Sequence, residues 1–129
     1  MTLQDVKDIL DAEVYVGQDQ MQKEVKTAFG ADLMSDVLAF AKTGSILLTG
    51  LTNPQIVRTS NILDIAAIVI VRGKKPLAET IKLAEELRIP ILSTRYILFE
   101  TAGRLYQKGM VGCVEKVEDK RDRTQDSEL

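Results

Sequence analysis

Residues 64–76, Asp64-Ile65-Ala66-Ala67-Ile68-Val69-Ile70-Val71-Arg72-Gly73-Lys74-Lys75-Pro76, join an unbroken apolar run to a basic loop and a proline. From Ala67 to Val71 no polar residue alternates with the apolar ones. Such a run predicts a strand buried on both faces, as in the interior of a parallel sheet. Arg72-Gly73-Lys74-Lys75 is then the loop leaving its carboxyl end. Pro76 opens a helix, where a missing N–H is no loss. Leu77, Ile81, Ala84 and Leu87 share one face of that helix, and Glu79, Lys82, Glu85, Glu86 and Arg88 point to solvent.

The same unit recurs on either side. Ile46-Leu47-Leu48 is a buried strand, Thr49-Gly50-Leu51-Thr52-Asn53 its exit loop, and Thr52-Asn53-Pro54 the cap and first turn of a helix with Ile56, Ser60 and Leu63 inward. Downstream, Pro90-Ile91-Leu92 is a strand, Ser93-Thr94-Arg95 its loop, and Tyr96 to Lys108 a helix closed by Gly109. Successive strand–loop–helix units require right-handed crossovers and a shared sheet direction. The fold class expected is therefore α/β, a three-layer sandwich with a mainly parallel sheet flanked by helices.

Upstream, Thr2 and Asp5 form a capping box before Leu3, Val6, Ile9 and Leu10. A short strand, Val14 to Val16, ends at Gly17. Gln18 to Phe29 fits a helical face or an alternating strand. A polar turn and then a strand is preferred, because Gly30 and the good cap Asp32 start a new helix. Leu33, Val37, Leu38 and Ala41 lie on one face of that helix, and Lys42-Thr43-Gly44 ends it.

A chain of 129 residues suffices for one core and not for two ordinary domains. One domain is expected over residues 1–114, followed by a charged, disordered tail over 115–129 in which apolar residues vanish after Val117. That tail holds six acids against four bases, which leaves 13 of each in the remainder. A near-neutral body lacks the basic excess of a dedicated duplex binder, and 5% aromatics with no Trp offer few stacking platforms. No nucleic acid is expected as a partner. Cys113, the only cysteine, can form no intrachain disulfide, and Met1 to Leu10 has no signal-like apolar run. No segment approaches the roughly 20 apolar residues of a membrane helix. The expected location is cytoplasmic, with no membrane partner.

Loops leaving the carboxyl ends of parallel strands gather along one edge with the helix N-termini, where ligands of open α/β sheets bind. Here those loops bring Thr52, Asn53, Arg72, Gly73, Lys74, Thr94 and Arg95 together with Lys75 and Gly50. Cations, hydroxyls and glycines that permit close backbone approach suit a small anion, a phosphate, nucleotide or carboxylate metabolite. Capping alone also accounts for Thr52, Asn53, Ser93 and Thr94. With no His, neither a Ser-His-Asp nor a Cys-His relay exists and common zinc sites lose their nitrogen ligand. Thr49-Gly50 and Gly73-Lys74-Lys75 lack the phosphate-loop spacing. No enzyme activity, cofactor or metal is expected. Cys113 reads as a buried packing thiol. Glu100 reads as an exposed helix residue or a paired carboxylate facing the edge, the exposed reading being preferred. Gly103 in a helix costs roughly 1 kcal/mol unless another backbone packs there, a second subunit included.

Ser45-Ile-Leu-Leu-Thr-Gly50, Asp64 to Val71, Leu83-Ala84-Glu85-Glu86-Leu87-Arg88-Ile89-Pro90-Ile91-Leu92-Ser93-Thr94 and Glu100-Thr101-Ala102-Gly103-Arg104 together resemble the DRTGG domain from about Leu3 to Gly112. The resemblance implies a fold similar to the N-terminal domain of HPr kinase/phosphorylase and to a Mur ligase domain. It implies an accessory, regulatory role, as where such domains are fused to CBS domains or occur in phosphate acetyltransferases, and it brings no catalytic residues. Where the family carries Asp-Arg after the first strand's glycine, this chain has Leu51-Thr52 after Gly50. Where it carries Thr-Gly-Gly, this chain has Arg72-Gly73-Lys74. The expectation is a stand-alone, non-catalytic regulatory domain that binds a small anionic ligand at the carboxyl edge, works as a homodimer and acts on a partner enzyme. The alternative is an interaction module without a ligand, docking on a larger enzyme through the helix around Gly103 and the charged tail.

Overall fold

Six strands lie side by side in the order β1-β5-β4-β3-β2-β6, with β4 and β3 at the centre. The computed structural model describes residues 1–118, so the expected tail lies mostly outside the described residues. The strands are β1 (Glu13–Val16), β2 (Thr27–Gly30), β3 (Ile46–Thr49), β4 (Ala67–Ile70), β5 (Ile91–Ser93) and β6 (Val111–Gly112). The helices are α1 (Leu3–Leu10), α2 (Met34–Phe40), α3 (Pro54–Leu63), α4 (Ala78–Leu87) and α5 (Leu98–Gln107). Every pairing is parallel except that of β1 with β5. The mainly parallel α/β sandwich is what the repeating units require.

Every residue of β3, β4 and β5 is buried. Register sorts them into two faces. Leu48, Val69 and Leu92 stand in one row, and Leu47, Ile68 and Ile91 in the next. The first row packs with Leu3, Val6 and Leu10 of α1 and Leu105 of α5. On the other face Ile68, Ile70 and Ile91 meet Ile56 and Val57 of α3 and Ala84 of α4, while Leu47 meets Val37 of α2. Helices thus cover both faces, and every side chain of the central strand is removed from water.

Local signals hold at several ends. Thr2 Oγ1 accepts from the Asp5 amide at 3.2 Å while Asp5 Oδ2 accepts from the Thr2 amide at 2.8 Å, a complete capping box. Asn53 Oδ1 caps α3 by accepting from the Gln55 amide at 3.0 Å, with Pro54 in the first turn.

Other expectations are corrected. Asp32 does not cap α2; Leu33 takes the cap position with no side-chain bond, and Asp32 turns to the strand ends. The helix stops at Phe40, with Ala41 already extended, so Lys42-Thr43-Gly44 is a loop and not its last turn. Leu33 and Leu38 are exposed, since a helix this short packs only through Val37 and its neighbour Ala41. On α4 Thr80 and Ala84 are buried and Ile81 packs half-buried beside them, whereas Leu77 and Leu87 are exposed, and the helix begins at Ala78 rather than at Pro76. α5 begins at Leu98, not Tyr96. Cys113 is half-buried, with its Sγ 3.8 Å from the Phe40 carbonyl oxygen. A Cβ at Gly103 meets nothing within 4 Å, so among the described residues no other backbone packs on it. Strand β6, two residues long, was too short to carry a sequence signal.

Truncating the centre tests this architecture. Ile68→Ala, in the doubly covered strand, is expected to cost about 2–5 kcal/mol, read as a lowered urea midpoint at unchanged slope. Ile62→Ala, on a residue 72% exposed, should change stability by less than about 0.5 kcal/mol.

Candidate functional site

The carboxyl ends of β2, β3, β4 and β5 bring Asp32, Thr49-Gly50, Arg72-Gly73-Lys74 and Thr94-Arg95 to one edge, as the parallel register demands. The β4 exit loop is stitched to the β5 loop by its own backbone. The Arg72 amide donates to the Tyr96 carbonyl at 2.9 Å and the Gly73 amide to the Thr94 carbonyl at 2.8 Å. Ser93 Oγ donates to the Lys74 carbonyl at 2.6 Å. These bonds hold Arg72 at φ 66° and Gly73 at φ 68°, two successive left-handed residues. A side chain in that region costs about 1–3 kcal/mol, and at Arg72 it carries a cation.

Arg72 folds its guanidinium over Gly50, where a Cβ would stand 2.6 Å from Nη2. Glycine at position 50 is therefore a matter of space, since the arginine fills the volume that a side chain needs. Arg95 lies against Gly73, its Cγ 3.8 Å from where a Cβ would be. Arg72, Gly73, Lys74 and Arg95 are exposed.

Sequence reasoning missed Asp32. Its Oδ1 accepts from the Gly50 amide at 2.7 Å and from Thr49 Oγ1 at 3.0 Å, and Thr49 Oγ1 accepts in turn from the Leu51 amide at 3.2 Å. The Gly50 amide above all holds this carboxyl below its ordinary value; burial, next in size, opposes it, and the Thr49 hydroxyl and the charges of Arg72 and Lys74 add to the lowering. An Asp placed just before a helix reads as a cap from sequence. Only the β2–β3 pairing shows that its donors come from the next strand.

The remaining candidates divide. Thr94 is buried, and its hydroxyl donates to the Leu10 carbonyl at 2.8 Å and accepts from the Tyr96 amide at 3.3 Å. Its contribution is to the shape of the edge. The Thr52 carbonyl accepts from the Leu77 amide at 3.2 Å and from Thr80 Oγ1 at 2.7 Å, which ties the start of α3 to the start of α4. Asn53 is exposed and caps α3. Glu100 is exposed and pairs with Arg104 at 3.5 Å, one helical turn on. Among the described residues no cluster of three or more His, Cys, Asp or Glu could hold a metal ion, and no helix is long and apolar enough to cross a membrane.

The model of the DRTGG domain family matches residues 5–108. This chain belongs to the DRTGG domain family. No curated protein matches it. Among solved structures it is similar to the CBS and DRTGG domains of the regulatory region of Clostridium perfringens pyrophosphatase, complexed with the activator diadenosine tetraphosphate. The TM-score is 0.69 at 19% identity, over 99% of this chain and 61% of that one. Likeness at that identity is likeness of fold, and this DRTGG domain spans less than two thirds of the chain it matches.

Two substitutions separate the roles found here. Thr94→Val leaves the buried Leu10 carbonyl without its donor and should cost about 1–3 kcal/mol in chemical denaturation. Asp32 has a lowered folded pKa, so its stabilisation is present above the ordinary carboxylate pKa of about 3.9 and is lost as pH falls through the folded value. Asp32→Asn should therefore be less stable than wild type at neutral pH, and the gap between their urea midpoints should close in acid.

Proposed function

We propose that this DRTGG domain is a non-catalytic regulatory module that binds a small anionic ligand, phosphate- or nucleotide-like, at the carboxyl edge of its sheet. One observation carries the reading. Arg72 is held in a left-handed conformation by the β5 loop, and its exposed side chain is thereby laid over Gly50 beside Asp32. Strain that surrounding bonds impose on a charged, exposed residue is characteristic of sites where the side chain must be aimed.

Lys74 and Arg95, the Gly73 backbone, and Thr52 and Asn53 at the start of α3 join it in the proposed site, while Thr94 supports the loop through its bonds to Leu10 and Tyr96. Arginine offers planar, paired donors to phosphate or carboxylate oxygens, and a helix N-terminus adds amide donors and the positive end of its dipole. Asp32 gives the cluster a negative member. A carboxylate with lone pairs left beside Gly50 suits a hydroxyl or amino donor on the ligand, so a nucleotide or sugar phosphate fits better than a bare oxyanion. A nucleotide activator bound to the regulatory region similar to this chain supports the same class. The reaction chemistry that an enzyme of phosphoryl groups needs is thin here, because the edge offers one carboxylate already engaged by two donors. A domain of this kind works in the cytoplasm by passing its occupancy to a second subunit or to a partner enzyme.

Thermal denaturation with a panel of nucleotides, dinucleoside polyphosphates and phosphorylated metabolites tests the proposal. A true ligand at a hundredfold excess over Kd stabilises by about 2.7 kcal/mol, and an Arg72→Ala/Arg95→Ala double variant should lose that shift. Failure of every panel member at millimolar concentration overturns it. Arg72→Gly provides an independent check, since it removes strain and cation together. It should gain about 1 kcal/mol of stability while losing the response to the anion.

A further inference from the structure

Among the described residues nothing covers the outer face of α5. Phe99 is 79% exposed and Tyr106 68% exposed, with Ala102 and Gly103 exposed between them. The apolar surface runs on past Ala102 and Tyr106 to Val111 of the sheet edge, along a cleft of about 570 Å³ whose lining includes the buried Met110. A monomer seldom leaves so continuous an apolar patch in water.

Order along the helix identifies what covers it. Positions 99, 102, 103 and 106 are spaced i, i+3, i+4, i+7 and form one stripe. They read large, small, small, large, a series that is unchanged when reversed about a point between Ala102 and Gly103. A second copy of α5, antiparallel about a two-fold axis at that point, sets Phe99 opposite the partner's Tyr106. The small pair at the crossing lets the backbones approach.

Charge obeys the same symmetry. Glu100 and Arg104 lie together on one flank of the stripe, paired at 3.5 Å. With a rise of about 1.5 Å per residue, the two-fold places each Glu100 within about one residue's rise of the partner's Arg104. Four side chains then alternate in sign along that flank. A foreign partner has no reason to match this reversal, whereas a self-complementary pair uses each residue twice.

We infer that α5 is the face through which two copies of this domain pair, antiparallel and centred on Ala102 and Gly103. The inference deepens the regulatory reading above by naming the subunit contact, and it joins that contact to the edge. Arg104 stacks on the Tyr96 ring at 4.0 Å, and the Tyr96 carbonyl receives the Arg72 amide at 2.9 Å. A change at Arg72 thus reaches the paired helices through one aromatic residue.

Sedimentation velocity of the full chain over micromolar to millimolar concentration tests it. Wild type should reach twice the monomer mass. Gly103→Glu and Ala102→Glu, which put like charges at the crossing in open space, should remain monomers with unchanged circular dichroism. Glu100→Lys should weaken pairing about tenfold, and Glu100→Lys/Arg104→Glu should recover most of the loss. A wild type that stays monomeric, a dimer that survives both crossing variants, or a charge swap that restores nothing overturns the proposal. Edge binding is read separately, as the anion-induced melting shift of the Gly103→Glu monomer. Loss of assembly with that shift retained, and the reverse, tell the two failures apart.

Discussion

A strand with no polar side chain on either face must be covered twice and paired along both edges, and β4 is that strand in this domain. Ala67 to Ile70 are wholly buried, between β3 and β5 laterally and between α1 with α5 and α3 with α4 above and below. Two-sided cover forces each strand to return by way of a helix, which keeps the strands parallel and collects their exit loops at one edge. The position of the candidate site is therefore a consequence of how the core is buried. Its chemistry is added by residues just past the buried run, Arg72 first among them.

That edge is not a simple basic patch. The β4 loop is fixed by three bonds to the β5 loop, at Arg72, Gly73 and Lys74, so its backbone is set before any ligand arrives. Asp32, a residue from the neighbouring strand, takes the Gly50 amide that a bound anion would otherwise attract. The result is a site with donors on one side and an acceptor on the other. The cation nearest Gly50 comes from the β4 loop, as Arg72.

Much of this was legible because burial on both faces leaves an unmistakable pattern. Ala67 to Val71, Ile46 to Leu48 and Ile91-Leu92 read as strands since nothing polar interrupts them, and Asn53-Pro54 read as a helix start since capping is local chemistry. What was not legible depends on partners far away in sequence. Asp32 has the same neighbours whether it caps α2 or accepts from Gly50, and only the lateral pairing of β2 with β3 decides. Thr94 looked like a ligand hydroxyl, yet its partner is the Leu10 carbonyl, 84 residues away. Strand β6 pairs through two residues and owes its existence to the neighbouring β2.

The misread leucines follow a different logic. Helical periodicity places Leu33, Leu38, Leu77 and Leu87 on apolar stripes, but a helix of seven to ten residues lying on a twisted sheet touches it over only about two turns. Leu33, Leu77 and Leu87 stand at helix ends and overhang, whereas Leu38, beside the buried Val37, faces away from the sheet. End effects of that kind leave single, scattered apolar residues, which need no partner. The stripe on α5 differs in kind. Phe99, Ala102, Gly103 and Tyr106 span the helix from its second residue to its second-last, away from its buried Thr101 and Leu105. Overhang cannot produce an apolar face that long on a helix already packed along its other side. Two apolar faces on one helix require two layers of cover, and the described residues supply one.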